Sequence, residues 1–139
     1  MTKRLITAAL PYTNSVPHLG NIVGSHLPAD IFARYSRLNG SQTIFVGGTD
    51  EHGTATEIAA KQFNITPKEL CDFFFKLHKQ IYEWFDISYD HFSRTSDKIN
   101  KELTQDIFLQ IQKNGYVKQQ KISVPYCTND DLFLADRFI

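Results

Sequence analysis

The chain has 139 residues, 42% of them hydrophobic and 22% charged, with 15 basic and 15 acidic side chains and a formal net charge of zero. Those proportions exclude a disordered polymer, and the length lets one domain bury a real core. A zero charge balance argues against a broad phosphate-gripping nucleic-acid footprint on this chain. The two cysteines, Cys71 and Cys127, are too few for a disulfide framework and fit a reducing compartment. No apolar run has the length of a membrane span, and the start Met-Thr-Lys-Arg-Leu-Ile has no secretory h-region, so a cytoplasmic location is expected.

Leu5 to Leu10 is short, apolar and β-compatible and stops at Pro11, which predicts a buried strand entering a loop. Beyond that loop, Leu19, Val23, Leu27, Ile31, Tyr35 and Leu38 fall at three- and four-residue spacing, which predicts a helix with this face buried and a stop at Asn39-Gly40. Pro28 interrupts the pattern and predicts a kink, or a helix that starts in earnest only after it. Thr43 to Val46 reads as a second buried strand ending at Gly47-Gly48, so the first segments form a βαβ unit with a right-handed crossover. A helix is expected from about Glu51 to Phe63. Thr66-Pro67-Lys68-Glu69 is a capping box with proline at the first helical position, and its helix carries Leu70, Phe73, Phe74, Leu77, Ile81 and Trp84 as a core stripe. A further helix from near Ser96 shows Ile99, Leu103, Ile107 and Ile111 and closes at Asn114-Gly115; Tyr116 to Ile139 reads as β-rich.

Two clusters carry chemistry. His18-Leu19-Gly20-Asn21 follows a strand and loop and opens a helix, where backbone N–H groups and the helix dipole favour a phosphate. Gly20 permits close approach, and His18 and Asn21 add side-chain donors. The competing reading is a solvated histidine beside a packing glycine. No Gly-rich dinucleotide fingerprint and no Walker A sequence occur, so a nucleotide must be held another way. The second cluster, Thr49-Asp50-Glu51-His52-Gly53, follows the second strand, at the end where open α/β sheets bind ligands. Asp50 there suits a substrate amine and Tyr12 an apolar side chain; equally, Asp50 could cap the next helix. Adjacent residues on one loop are a poor metal-ligand set. His26, His78 and His91 show no partner pattern and read as surface or structural histidines, and Cys71 as buried packing.

Four segments, in order along the chain, together resemble one family: Ala9 to Asn21, Phe45 to Thr54, Phe85-Asp86-Ile87-Ser88-Tyr89-Asp90, and Phe133 to Phe138. The resemblance is to the class I aminoacyl-tRNA synthetases, in their methionyl branch. It implies an α/β fold, the first half of a Rossmann-like nucleotide-binding domain with parallel strands and flanking helices over residues 1–115, and the start of a connective, zinc-knuckle insertion over 116–139. It also implies attack of the methionine carboxylate on the α-phosphate of ATP, giving methionyl-adenylate and pyrophosphate, then acyl transfer to tRNA(Met). By similarity His18, Gly20 and Asn21 contact ATP, with His18 and Asn21 at the ends of the "HIGH" signature and Asn21 standing where the name has a histidine. Leu10, Tyr12 and Asp50 match the methionine pocket, Asp50 taking the amino group. Mg²⁺ is expected with ATP, carried by the phosphates.

Two departures shape the expectation. Cys127 is alone where relatives carry a C-x-x-C pair, so zinc is expected only in a longer, complete protein. The Lys-Met-Ser-Lys-Ser signature is not in this sequence, so this chain is expected to be an N-terminal fragment without activity by itself. A half-sheet of this kind would leave an open edge and apolar surface, which predicts self-association. The alternatives are a non-catalytic nucleotide- or partner-binding module and a small adenylyltransferase; the Ala-Leu-Pro-Tyr and Ile-Ser-Tyr-Asp segments speak against the latter.

Overall fold

Three parallel strands in the order β1 (Lys3–Thr7), β2 (Gln42–Thr49) and β3 (His91–Arg94) form the sheet of the computed structural model, which describes residues 2–129 and 131–133. The helices are α1 (Leu19–Asn21), α2 (Leu27–Leu38), α3 (Thr54–Phe63), α4 (Pro67–Trp84) and α5 (Lys98–Lys113). A short antiparallel pair, β4 (Tyr126–Cys127) and β5 (Leu132–Phe133), follows. β1 pairs with β2 from Lys3↔Gln42 to Thr7↔Val46, and β2 with β3 from Val46↔His91 to Thr49↔Arg94. This is the α/β arrangement of parallel strands and flanking helices that the sequence predicts.

β1 lies two residues earlier than expected and ends at Thr7. The chain leaves the sheet there because the Ala9 N–H turns to the Ser25 hydroxyl, at 2.8 Å, instead of a neighbouring strand. β2 runs on through Gly47 and Gly48, where the sequence predicted its end. Both glycines are there for clearance: a Cβ on Gly47 would stand 2.4 Å from the Tyr89 ring, and one on Gly48 would stand 2.8 Å from the Ser93 carbonyl oxygen.

The predicted break at Pro28 takes the form of a π turn. Residues Ile22–His26 link α1 to α2 in one helical run, and the Leu27 N–H reaches back five residues to the Ile22 carbonyl. Pro28 has no N–H to give and its ring crowds the preceding turn; the wider turn absorbs both effects.

The expected buried face of this run is the exposed one. Leu19, Val23, Ile31, Tyr35 and Leu38 face outward, Leu38 with 88% of its surface open. Ile22, His26, Asp30, Ala33 and Ser36 are buried instead. Polar partners far along the chain decide this. Asp30 accepts from the Ser88 N–H at 2.6 Å and from the Arg34 Nε at 2.6 Å, and Arg37 donates to the Ser88 hydroxyl at 2.8 Å and to Asp90 at 2.7 Å. Asp90 also accepts from the Phe45 N–H at 2.6 Å, tying the loop to β2. The segment 85–90 that carries part of the family resemblance is therefore a clamp between α2 and the sheet. Burial pushes the Asp30 carboxyl up, but hydrogen bonds from Ser88 and Arg34 outweigh it and hold the group below its ordinary value.

The main core comprises Ile6, Ile22, Ala33, Phe45, Tyr82 and Ile87, with a second cluster of Ala60, Leu70 and Phe74. α4 opens with the predicted capping box: the Thr66 hydroxyl accepts from the Glu69 N–H, and the Glu69 carboxylate accepts from the Thr66 N–H. Its stripe is displaced from the expected one. Leu70 and Phe74 are buried, but Phe73 and Trp84 are 62% and 80% exposed, and Cys71, His78 and Tyr82 take the inner face. His26 is likewise inside, the structural rather than the surface alternative, with Nδ1 at 2.5 Å from the Tyr89 hydroxyl and Nε2 at 3.2 Å from that of Tyr82. Burial drives the Tyr82 phenol up to about 12. His91 is exposed.

α3 starts at Thr54 rather than near Glu51, after a turn in which Gly53 adopts φ +115°. α5 forms as predicted behind an Asp97 cap, yet Ile99, Leu103, Ile107 and Ile111 are all exposed. Residues 117–125 have no regular structure, so among the described residues the β-rich reading of the last stretch holds only for the β4–β5 pair. Most of the Phe133 to Phe138 segment lies outside the described residues.

Candidate functional site

The carboxyl end of β2 meets the loop that follows β1. The Asp50 N–H donates to the Pro11 carbonyl at 2.9 Å and the Thr13 N–H to the Asp50 carbonyl at 3.1 Å, so Tyr12 and Asp50 lie side by side as a parallel bridge. This pairing extends the β1–β2 ladder past the point where β1 itself has ended. Leu10 lies over Gly48, one of its methyls 3.4 Å from where a Cβ on that glycine would be. Leu10, Tyr12 and Asp50, separated by up to forty residues in the chain, are thus brought to one place.

A cavity of about 460 Å³ opens at the ends of β2 and β3; Leu10 lines it, whereas Tyr12 and Asp50 are not among its lining residues. Leu10, Gly48, Arg94, Thr95, Asn100 and Leu103 are among its lining residues. Leu10 and Tyr12 keep about half of their surface open.

Asp50 does not cap α3. Gly53 holds the cap position, and the Asp50 carboxylate instead accepts from the His52 N–H two residues on, at 3.2 Å. Among the described residues no cation pairs with it. The next residue behaves differently. Glu51 is buried and accepts from the Arg94 Nε at 2.8 and 2.9 Å, from the Thr49 hydroxyl at 3.3 Å and from the Ser96 hydroxyl. Arg94 reaches Asp72 on α4 at 2.7 Å, and its guanidinium stands 4.9 Å from the centre of the Phe75 ring. This network ties the ends of β2, β3 and α4 together beneath Asp50. Nothing local in the sequence signals it, because Glu51, Asp72 and Arg94 come from three separate elements.

His18 is the cap of α1 and its Nδ1 accepts from the Gly20 N–H at 2.9 Å. With Nδ1 accepting, the ring proton sits on Nε2, which is left as an outward donor. The Asn21 N–H donates to the His18 carbonyl at 2.8 Å, leaving the Asn21 amide side chain exposed. His18, Gly20 and Asn21 make one exposed turn; among the described residues no hydrogen bond joins it to Asp50.

Two buried groups lie behind this turn; the burial of Cys71 is as the sequence predicts, whereas the partners of both groups carry no local signal. His78 on α4 is fully buried, its Nε2 2.8 Å from the Ser15 carbonyl oxygen. Cys71, also on α4 and buried, accepts from the Thr13 hydroxyl at 3.2 Å. Burial pushes the Cys71 thiol above its ordinary pKa. For metals, no group of three or more His, Cys, Asp or Glu converges among the described residues; Cys127 stands on β4. No described helix is long and apolar enough to cross a membrane.

Comparison with known proteins agrees with the geometry. A family model described as tRNA synthetases class I (M) matches residues 4–139. A Caenorhabditis elegans protein named methionine–tRNA ligase, cytoplasmic, is 57% identical over 135 residues, covering 97% of this chain and 15% of the relative. A methionine–tRNA ligase of Borrelia hermsii is 53% identical over 137 residues, covering 99% of this chain and 19% of the relative. The chain thus spans less than a fifth of the length of these relatives. Among solved structures, Mycobacterium tuberculosis methionyl-tRNA synthetase in complex with methionyl-adenylate superposes with a TM-score of 0.86 at 27% identity, over 99% of this chain and 27% of that one. On these matches and on its parallel-sheet fold, the chain belongs to the class I tRNA synthetases of the methionyl type.

Proposed function

We propose that this chain supplies the first half of the active site of a methionine–tRNA ligase, which activates methionine with ATP and passes it to tRNA(Met). The observation that carries the reading is the Tyr12–Asp50 bridge at the strand ends, next to the cavity that Leu10 and Thr49 line. A carboxylate with no cationic partner among the described residues suits the substrate ammonium, and the half-open Leu10 and Tyr12 side chains suit a thioether chain. The Nε2 donor of His18, the Gly20 backbone and the Asn21 amide suit the phosphates of ATP, which brings Mg²⁺ with it as part of the substrate.

The chemistry needs no enzyme nucleophile. The methionine carboxylate attacks the α-phosphorus and pyrophosphate leaves, so positioning and charge stabilisation do the work. His18 Nε2 would donate to phosphate oxygens as charge shifts among them. Residues 1–115 are assigned to the catalytic half and 116–139 to the start of a connective insertion, a division supported by the irregular stretch 117–125 that separates α5 from the β4–β5 pair. Zinc and the grip on tRNA are assigned to the longer protein, given the neutral charge of this chain. A cytoplasmic location follows the C. elegans relative's name. The open β1 edge, with Leu5 and Ile44 exposed on paired positions, supports self-association of isolated copies.

Calorimetric titration of the chain with methionine and with ATP·Mg²⁺ tests the reading, with Asp50→Ala and His18→Ala as controls. Methionine uptake should vanish in Asp50→Ala and ATP uptake should weaken in His18→Ala, with no pyrophosphate exchange by the chain alone. Unchanged methionine affinity in Asp50→Ala would overturn the assignment of Asp50.

A further inference from the structure

The turn that carries His18 is attached to α4 through the loop that precedes it. Thr13 and Pro17 are buried, and the stretch between them runs along the inner face of α4. Cys71 and His78 are seven residues apart, two helical turns, so they point the same way. Cys71 engages Thr13, and His78 engages the Ser15 carbonyl. From Ser15 the link to His18 is stiff: Pro17 has a fixed φ, and Val16 before it is confined to extended geometry.

The state of His78 shows what the histidine is for. A carbonyl accepts only, so Nε2 must carry the ring proton, and Nδ1 is then a bare lone pair. That atom is buried and has no hydrogen-bond partner among the described residues. The edge-on Phe74 ring nearby offers it no donor, and the Tyr82 hydroxyl is engaged with His26 Nε2 instead. Leaving a buried acceptor unmet is costly, and an apolar side chain of similar size would pack between those rings without that cost. Packing therefore does not explain a histidine here, whereas the bond to Ser15 does. Burial holds His78 below its ordinary pKa, in keeping with a neutral donor.

We infer that His78 is a positioning residue: through Ser15 and the rigid Val16-Pro17 link it sets the His18–Asn21 turn in the geometry that receives ATP. This rests on the reading of that turn as the nucleotide contact.

His78→Leu removes the donor and keeps most of the volume, whereas His78→Gln returns an N–H close to the Nε2 position. Leu70→Ala, in the second core cluster, lowers stability without touching the loop. Amide hydrogen exchange at Gly20 and Asn21 is followed in each variant against β2 amides, together with ATP·Mg²⁺ affinity by titration. In His78→Leu, exchange at Gly20 and Asn21 should accelerate about tenfold relative to β2 and ATP affinity should fall about tenfold, the effect of one lost hydrogen bond. His78→Gln should restore most of both, and Leu70→Ala should raise exchange everywhere without singling out the turn. If His78→Leu does not fold, His78→Asn serves, since its amide lies at the Nδ1 position and cannot reach Ser15. Gly20 and Asn21 indistinguishable from Leu70→Ala, or His78→Gln as impaired as the donor-less variant, would overturn the inference. A wild-type chain that takes up no ATP would sink the nucleotide reading, while the exchange comparison would still decide the positioning role.

Discussion

Replacing Arg94 by methionine strands the carboxylate beneath the candidate methionine site. Glu51 is 7% exposed, and the Arg94 Nε meets both of its oxygens at 2.8 and 2.9 Å. Removing one partner of a buried pair costs about 3–5 kcal/mol, because the remaining charge has neither water nor a counter-ion. The Thr49 and Ser96 hydroxyls still donate to Glu51 and lessen the loss. Against that, Arg94→Met also gives up the bridge to Asp72 and the cation over the Phe75 ring. We expect destabilisation of about 3 kcal/mol, a large part of the roughly 5–15 kcal/mol typical of a folded domain. Urea unfolding followed by circular dichroism near neutral pH measures it. The pair Arg94→Met with Glu51→Gln leaves no stranded charge, so it should cost less than Arg94→Met alone. A loss below about 1 kcal/mol, the range of an exposed ion pair, would refute the argument, as would a double variant no better than the single one. Methionine uptake should weaken in Arg94→Met, since Glu51 anchors the turn that presents Asp50.

Gly47→Ala should destabilise by about 1–3 kcal/mol in the same assay, since its Cβ would stand 2.4 Å from a Tyr89 ring that is stacked on Phe45 and hydrogen-bonded to His26. Gly24→Ala, with nothing within 4 Å, should be neutral or stabilising. Burial lowers the His26 pKa from 6.5 to about 4, with His78 adding to the effect. The folded value is below the unfolded one, so the stability is fully present above about pH 6.5 and is lost as pH falls toward about 4, where the unfolded chain binds a proton that the folded chain refuses. The His26 share amounts to roughly 3 kcal/mol, read as a falling urea midpoint, and His26→Gln should remove it while leaving the limb of His78, which burial also holds below its ordinary value. Asp30 and Asp90, both held below the ordinary carboxylate range, lose their contribution only at lower pH, which separates their acid limb from that of His26.

Local rules made much of this chain legible. The Thr66–Glu69 box forms as written, because both of its bonds lie within one turn and need nothing from elsewhere. The order strand, helix, strand and the placement of Asp50 at a strand end followed from spacing and breakers. The bridge between Tyr12 and Asp50 follows from parallel-sheet geometry, which carries the pairing past the end of β1. The family could be recognised from short segments alone, since their order along the chain is itself information.

Tertiary structure decided which side of each helix faces inward. Periodicity in α2 reports an amphipathic helix, but Asp30 and Arg37 take the inner side because their partners at Ser88 and Asp90 lie more than fifty residues away. The apolar side they displace is left exposed in a chain that spans less than a fifth of its relatives. The same holds for His26 and His78, which the sequence leaves open as surface or structural histidines and which become buried donors and acceptors once Tyr82, Tyr89 and Ser15 surround them. A side chain's sequence neighbours set its backbone, but its burial and charge are set by whatever the fold packs against it.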